Sequence, residues 1–368
     1  MSKIKITTLT PVHVGSGNFL QYNSEFVPFK SQGVSYLGII DERKILDLIG
    51  VNHLNDWVLS IERRDSTRDL VKRYAPQSYI GDYIKRYEQS FANEIKPSDT
   101  LKECMHNGMG SPYIPGSSLK GAIRTAITAT LAKRNMPIAI DKSRLRFLAS
   151  DVEGRLFGKD PTEDVFRFFQ IGDAYFEPNC EIALRLIMSI NITKQDSLYP
   201  KENNRKPQLV EAIGVDAESS FSMKIDTEAY RRCKSAMPRM GTLPDEIQTL
   251  SGLFQLINNH TKELVSEEIA YWQEISKGKS GAEGYIEKMQ EMLDAVQSCD
   301  SKSCVLRLGH SSGWRFITGA WSEELACFDT DIVNLARPNN RNYTEYDFPK
   351  SRRTDADGDL LGFIKLSL

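Results

Sequence analysis

Residues 111–134, SPYIPGSSLKGAIRTAITATLAKR, constrain this chain more than any other stretch. Pro115-Gly116 makes a turn, because proline fixes φ and glycine accepts backbone angles that other residues resist. Ser117 or Ser118 follows as an N-cap, with a hydroxyl that accepts from an amide otherwise left without a partner. Leu119, Ala122, Ile123, Ala126, Ile127 and Leu131 then recur at three- and four-residue spacing, which predicts a helix with one buried stripe. Lys120 and Arg124 lie one turn apart beside that stripe. A helix N-terminus with free amides, hydroxyls and two cations suits an RNA backbone phosphate through Gly116, Ser117, Ser118, Lys120 and Arg124. The same residues equally describe a capped helix whose cations are merely solvated.

Around this helix the pattern alternates between periods of two and 3.6. Ile4, Ile6, Val12 and Val14 keep strand parity over 3–14, with Thr10-Pro11 as an edge or bulge and Gly15-Ser16-Gly17 as the stop. Val34–Ile40 is extended and runs into Asp41, an N-cap for a helix that Gly50 ends. From there to about Asn93 the spacing of Trp57, Leu59, Tyr79, Tyr83, Ile84 and Tyr87 predicts short helices, interrupted at Pro76. Phe166–Phe176 and Glu181–Ile192 resemble strands, and Glu177-Pro178-Asn179 between them predicts a hairpin. Ser220–Ile225 is extended, Leu243–Ile275 and Tyr285–Val296 are helical, and Val305–Leu308 and Phe363–Leu366 are the last strands. This order predicts an α+β fold, sheets backed by helices, and not a doubly wound parallel sheet. At 368 residues the chain exceeds the usual size of one core, so two lobes are expected. They fall at residues 1–230, with a helical insertion at about 41–95, and at 231–368, with a helical segment at about 243–296 and terminal strands carrying a glycine-rich loop.

Chemistry is sparse. Gly116–Gly121 lacks the spacing of a phosphate-binding loop for ATP, and no dinucleotide fingerprint follows a strand. The six cysteines, Cys104, Cys180, Cys233, Cys299, Cys304 and Cys327, are scattered without zinc-ligand spacing, so no metal and no cofactor are expected. Asp355-Ala-Asp-Gly-Asp359 opens like a calcium loop but lacks its closing glutamate. His13 and His310 both adjoin glycine loops; were they to meet, they would make a general acid–base pair for RNA cleavage. Glu25 is the one carboxylate between Gly15 and Gly38 for metal-assisted cleavage. The opening MSKIKITTLTPVHVGSG has no apolar run of a signal peptide, which predicts a cytoplasmic protein with no membrane partner.

The net charge of −2 and pI near 6.3 disfavour a wholly basic, sliding nucleic-acid binder but allow local basic tracks. One runs through Lys120, Arg124, Lys133, Arg134, Lys142, Arg144 and Arg146 against Asp141 alone. A second is the glycine-rich Arg307-Leu-Gly-His-Ser-Ser-Gly-Trp-Arg315. There Gly309 and Gly313 permit close backbone approach, and Arg307, His310, Trp314 and Arg315 offer charge and stacking surfaces. The third is Phe348-Pro-Lys-Ser-Arg-Arg353, with Lys350, Arg352 and Arg353 beside an aromatic ring.

T-P-V-H-V-G-S-G at 10–17, Y-I-P-G-S-S-L-K-G-A-I-R at 113–124, L-F-G at 156–158, I-G-D-A-Y-F at 171–176 and L-G-H-S-S-G-W at 308–314 together resemble the RAMP superfamily of CRISPR proteins. The terminal F-P-K-S-R-R, and the hundred or so residues between Gly17 and Gly116, resemble the fifth-subunit family of type III-A (Csm) effector complexes. The resemblance implies ferredoxin-like, RRM-like sheets with helical insertions. It also implies a non-catalytic role in antiviral defence, holding the 3′ part of the guide RNA (crRNA) and capping the backbone filament. The implied partners are guide RNA, target RNA and other Csm subunits, above all the backbone and small helical ones. His13 and Gly15 join the expected RNA contacts on the same ground. An endoribonuclease acting on guide precursor or target RNA is the alternative.

Overall fold

The computed structural model describes the chain except for residues 93–94, 135–142, 144–147, 178–181, 193–207, 318–319, 322–331, 335–346 and 356–357. The expectations for Lys142, Arg144 and Arg146, the turn at Pro178-Asn179, Cys180, Cys327 and part of the calcium-like loop lie outside the described residues.

The strands of the first half are β1 (Ser2–Thr8), β2 (Gly15–Gln21), β3 (Phe26–Ser31), β4 (Val34–Ile40), β5 (Ile84–Ser90), β6 (Thr100–Cys104), β7 (Tyr113–Ile114), β8 (Phe169–Ile171) and β9 (Ala174–Tyr175). Those of the second are β10 (Ile182–Asn191), β11 (Gln208–Ile213), β12 (Glu218–Ile225), β13 (Ser303–Arg307), β14 (Ser351–Asp355) and β15 (Phe363–Ser367). The helices are α1 (Glu42–Ile49), α2 (Leu54–Arg63), α3 (Thr67–Tyr74), α4 (Gly116–Arg134), α5 (Leu148–Phe157), α6 (Thr227–Ala236), α7 (Leu250–Ile275) and α8 (Glu283–Gln297).

β1 is the centre of a five-stranded antiparallel sheet ordered β13-β15-β1-β12-β8. Its alternation buries Ile4 and Ile6, which meet Phe221, Met223, Ile364 and Leu366 of the neighbouring strands and the apolar stripes of α4 and α7 in one core. Each such fully buried side chain contributes about 1.5–3 kcal/mol. A second core joins Val265, Ile269 and Trp272 of α7 to Tyr285, Met289 and Met292 of α8. The edge strand β13 is covered by α7. Asn258 donates to the Ser303 carbonyl (2.8 Å) and accepts from the Val305 amide (3.1 Å), and the Thr261 hydroxyl donates to the Val305 carbonyl (2.8 Å). Helix side chains thus stand in for the missing neighbouring strand.

The larger sheet runs β2-β6-β11-β10-β5-β4-β3, with β14 on the free stretch of β10. α1 to α3 insert between β4 and β5 and pack Ile45, Ile49, Trp57, Leu70 and Val71 against Val27, Ile40 and Ile84. Asp41 caps α1 by accepting from the amides of Arg43 and Lys44, and Gly50 ends it at φ 83°. The α+β class, α1, α4, α7, α8 and β4 follow the sequence expectations.

Three local expectations are corrected. Gly15 does not stop a strand: it opens β2, which pairs with β6 across an irregular register between Gly15 and Phe19. The helical reading fails at 84–90, where Ile84 and Glu88 are buried and Lys85 and Tyr87 exposed, the period of a strand pairing with β4. Its inward residues include the charged Arg86 and Glu88, so hydrophobicity does not mark the period. The runs over 166–176 and 181–192 do not form a hairpin with each other, because β8 pairs with β12 and β10 with β11, β5 and β14.

Candidate nucleic-acid interface

The start of α4 is built from two motifs far apart in sequence. The cap is not Ser117 or Ser118: the Gly116 amide donates to Oδ1 of Asp173 (2.7 Å), in the I-G-D-A-Y-F segment. A Cβ on Gly116 would stand 2.3 Å from the Ile171 carbonyl oxygen, so glycine is needed for this close approach. The place where a phosphate was expected therefore already holds a carboxylate. Ser117 is exposed and Ser118 half-buried. Arg124 donates to Glu153 (2.6 Å) and Asp164 (2.7 Å), with its guanidinium over the rings of Phe157 and Phe166. Lys120 is half-buried; burial lowers its pKa, with Asp164 opposing and Arg124 adding to that shift. Lys133 and Arg134 meet Glu263 and Glu246. The described part of the first basic track is thus answered by the protein's own acids.

The two glycine loops pack on one another. The His310 amide donates to the His13 carbonyl (2.8 Å), and a Cβ on Gly309 would lie 2.5 Å from that oxygen. Contact with His13 by itself accounts for a glycine at 309. A Cβ on Gly15 would stand 3.0 Å from Nε2 of His13. Gly313 has open space at its Cβ, but φ 85° and ψ 166° place it where almost only glycine goes. Arg307 is interior: its Nε donates to the Leu361 carbonyl (2.9 Å) and its guanidinium lies over Phe316 and Phe363. Arg315 faces Glu268 (3.3 Å) and Glu267 (3.7 Å). Trp314 is half-buried and edge-on to Phe348, with ring centroids 5.0 Å apart.

β14 separates the paired arginines of F-P-K-S-R-R, because successive residues of a strand face opposite sides. Arg352 points inward and grips Glu268 with two bonds, Nε–Oε2 2.6 Å and Nη2–Oε1 2.8 Å. Arg352, expected to contact RNA, is buried in this ion pair. Lys350 is half-buried, and its carbonyl accepts from the Ile192 amide (3.0 Å). Arg353 points outward to Nε2 of His310 (3.0 Å) and Oε1 of Gln208 (3.3 Å). Lys102 of β6 reaches the same two groups, Gln208 at 2.9 Å and His310 at 3.5 Å, and lies 5.8 Å from the ring of Phe19, which is 54% exposed. Among the described residues no carboxylate pairs with Lys102 or Arg353. Burial lowers the pKa of both, and Arg353 lowers that of Lys102 further.

His13 and His310 do meet, edge to face at 5.5 Å. Burial, then Lys102, Arg353 and His13, push His310 down to about 3. His13 is buried with Nδ1 2.6 Å from the Glu211 carbonyl, and burial lowers its pKa as well. Burial thus disfavours a second proton on either ring, the form a general acid would need. Glu25 is tied into a turn, accepting from the Gln21 amide (2.8 Å). Phe19, Lys102 and Gln208 carry no local motif; only the pairing of β2, β6 and β11 reveals them.

A family description, the RAMP superfamily, matches residues 5–316. A protein named CRISPR system Cms protein Csm5 from Methanocaldococcus jannaschii is 26% identical over 325 residues, 85% of this chain and 71% of that protein. Its namesake from Streptococcus thermophilus is 28% identical over 156 residues, 38% of this chain and 41% of that protein. Among solved structures, a chain of a type III-A Csm–crRNA–target RNA ternary complex superposes with TM-score 0.71 at 20% identity, covering all of both chains. The crystal structure of T. onnurineus Csm5 superposes with TM-score 0.66 at 20% identity, over 99% of this chain and 100% of that one.

Proposed function

Because the chain belongs to the RAMP superfamily, we propose that it is a non-catalytic, RNA-binding subunit of a type III-A CRISPR effector complex. Its task there is to hold the 3′ part of the guide RNA and cap the backbone filament. The names of its relatives and the complex containing its structural neighbour support that assignment.

The observation that carries the RNA reading is the pair Lys102 and Arg353. Two cations share Gln208 and His310, are partly withdrawn from water, and have no carboxylate among the described residues. Such a pair is strained until an anion arrives, because burial and mutual repulsion both disfavour its charge. A backbone phosphate supplies that anion through charge-assisted bonds. The exposed ring of Phe19 adds a face for a base. The neutral imidazole of His310 orients the cations and takes no part in cleavage.

Ultraviolet cross-linking of a guide-like RNA in the assembled complex, with peptide mapping, tests this. Cross-links should fall on peptides around Phe19 and around 308–316 and 347–353. Cross-links confined to residues 113–124, or none to this chain, would refute it.

A further inference from the structure

Behind the cation pair, a cluster of acids is buried with too little positive charge. Arg86 donates from Nε to Glu88 (3.0 Å) and from Nη2 to Glu103 (3.2 Å) and Glu211 (2.6 Å). Three carboxyl groups thus surround one guanidinium, and full ionisation would leave an excess of two negative charges. Glu88 is 4% exposed and Glu211 fully buried. The second oxygen of Glu88 makes no hydrogen bond, nor does Nε2 of His106, whose side chain is 9% exposed. His106 Nδ1 lies 2.9 Å from the Cys104 carbonyl, which can only accept; Nδ1 therefore carries the proton, and Nε2 a lone pair. Ligand atoms of Glu88, His106 and Glu211 lie within 4.8 Å of one another, with Nδ1 of His106 3.9 Å from Oε2 of Glu211, an oxygen that also accepts from the Cys104 amide (2.8 Å).

We propose that Glu88, His106 and Glu211 bind one first-row divalent cation, of the zinc or manganese kind. A single proton shared between Glu88 and Glu211 would satisfy the bare oxygen but leave the imidazole lone pair buried and unused. A divalent ion takes both and cancels the excess charge. One nitrogen and two oxygens suit zinc or manganese, whereas calcium and magnesium seek oxygen alone. The proton on Nδ1, held by a backbone carbonyl, is the outer contact that commonly orients a metal-binding imidazole. The ion would tie β5, the segment after β6, and β11, which are remote in sequence, making the site a structural clamp independent of RNA.

The test uses the untagged full chain, stripped with a chelator and titrated calorimetrically with zinc(II) and, separately, manganese(II). One equivalent should bind, with Tm raised by roughly 2 °C or more. Glu88→Gln and His106→Ala should each weaken binding about tenfold or more, while Glu25→Gln, outside the cluster, should not. Should a ligand variant fail to fold, cobalt(II) added to the wild-type chain decides: d–d absorption bands that zinc abolishes support the site. No saturable binding by the wild type, or equal binding by both ligand variants, would overturn the proposal, and the acid pair would then hold a proton.

Discussion

Arg352 and Glu268 give the most direct check on how the basic tail motif is used. Their side chains are 5% and 1% exposed and joined by two bonds of 2.6 and 2.8 Å. Breaking such a pair from one side leaves an uncompensated buried charge and costs about 3–5 kcal/mol. The two sides are not equivalent. Glu268 also accepts from the Tyr285 hydroxyl (2.8 Å) and faces Arg315 (3.3 Å), so after Arg352→Met it keeps partners, and the loss should fall at or below the low end, about 3 kcal/mol. Glu268→Gln strips two guanidinium groups of their anion and should cost more, toward 5 kcal/mol. The double variant Glu268→Met, Arg352→Met should lose clearly less than the sum, because neither charge is then stranded. Urea unfolding followed by circular dichroism measures all three. Single losses below about 1 kcal/mol, or strict additivity, would refute the buried pair. A folded Arg352→Met protein of unchanged stability but weakened RNA binding would return Arg352 to the RNA surface.

The same pair sets an acid limit: burial raises the pKa of Glu268, but Arg352 outweighs it and holds the carboxyl below its usual range. A depressed folded pKa contributes stability that is present above the unfolded value, about 4.3, and lost as pH falls through the folded one, so urea midpoints should fall below about pH 4. Glu268→Gln should flatten that fall. Arg124→Ala should lower stability by about 1–3 kcal/mol, by removing the bonds to Glu153 and Asp164 and two ring contacts, with RNA affinity unchanged in filter binding. Gly116→Ala should cost about 1–3 kcal/mol by chemical unfolding, since its Cβ meets backbone oxygen at 2.3 Å and backbone cannot step aside as a side chain can.

The sequence discloses elements whose cause is local. Asp41 and Gly50 bound α1, and the stripe from Leu119 to Leu131 marks α4, because caps and helical periodicity lie within a few residues. Strands whose partners are remote are harder to see. β5 hides its period because its inward side chains include Arg86 and Glu88, tolerated there only by contacts with Glu103 and Glu211. β14 looks like a basic tail until β10 pairs with it and sends Arg352 and Arg353 to opposite faces. The glycine motifs at 10–17 and 308–314 are each legible, but only the structure joins them, through the His13 carbonyl. Lys102, Gln208 and Phe19 were not legible, since their only signature is adjacency across three strands.

Whether Lys102 and Arg353 hold RNA phosphate, as proposed, is read from the salt dependence of single-stranded RNA binding. Each phosphate contact on a single strand contributes a slope of about −0.7 in log K against log salt. Lys102→Ala with Arg353→Ala should therefore make the slope shallower by about 1.4, with the unfolding midpoint near wild type. A double variant that folds normally and keeps the wild-type slope would show that these two cations hold no phosphate.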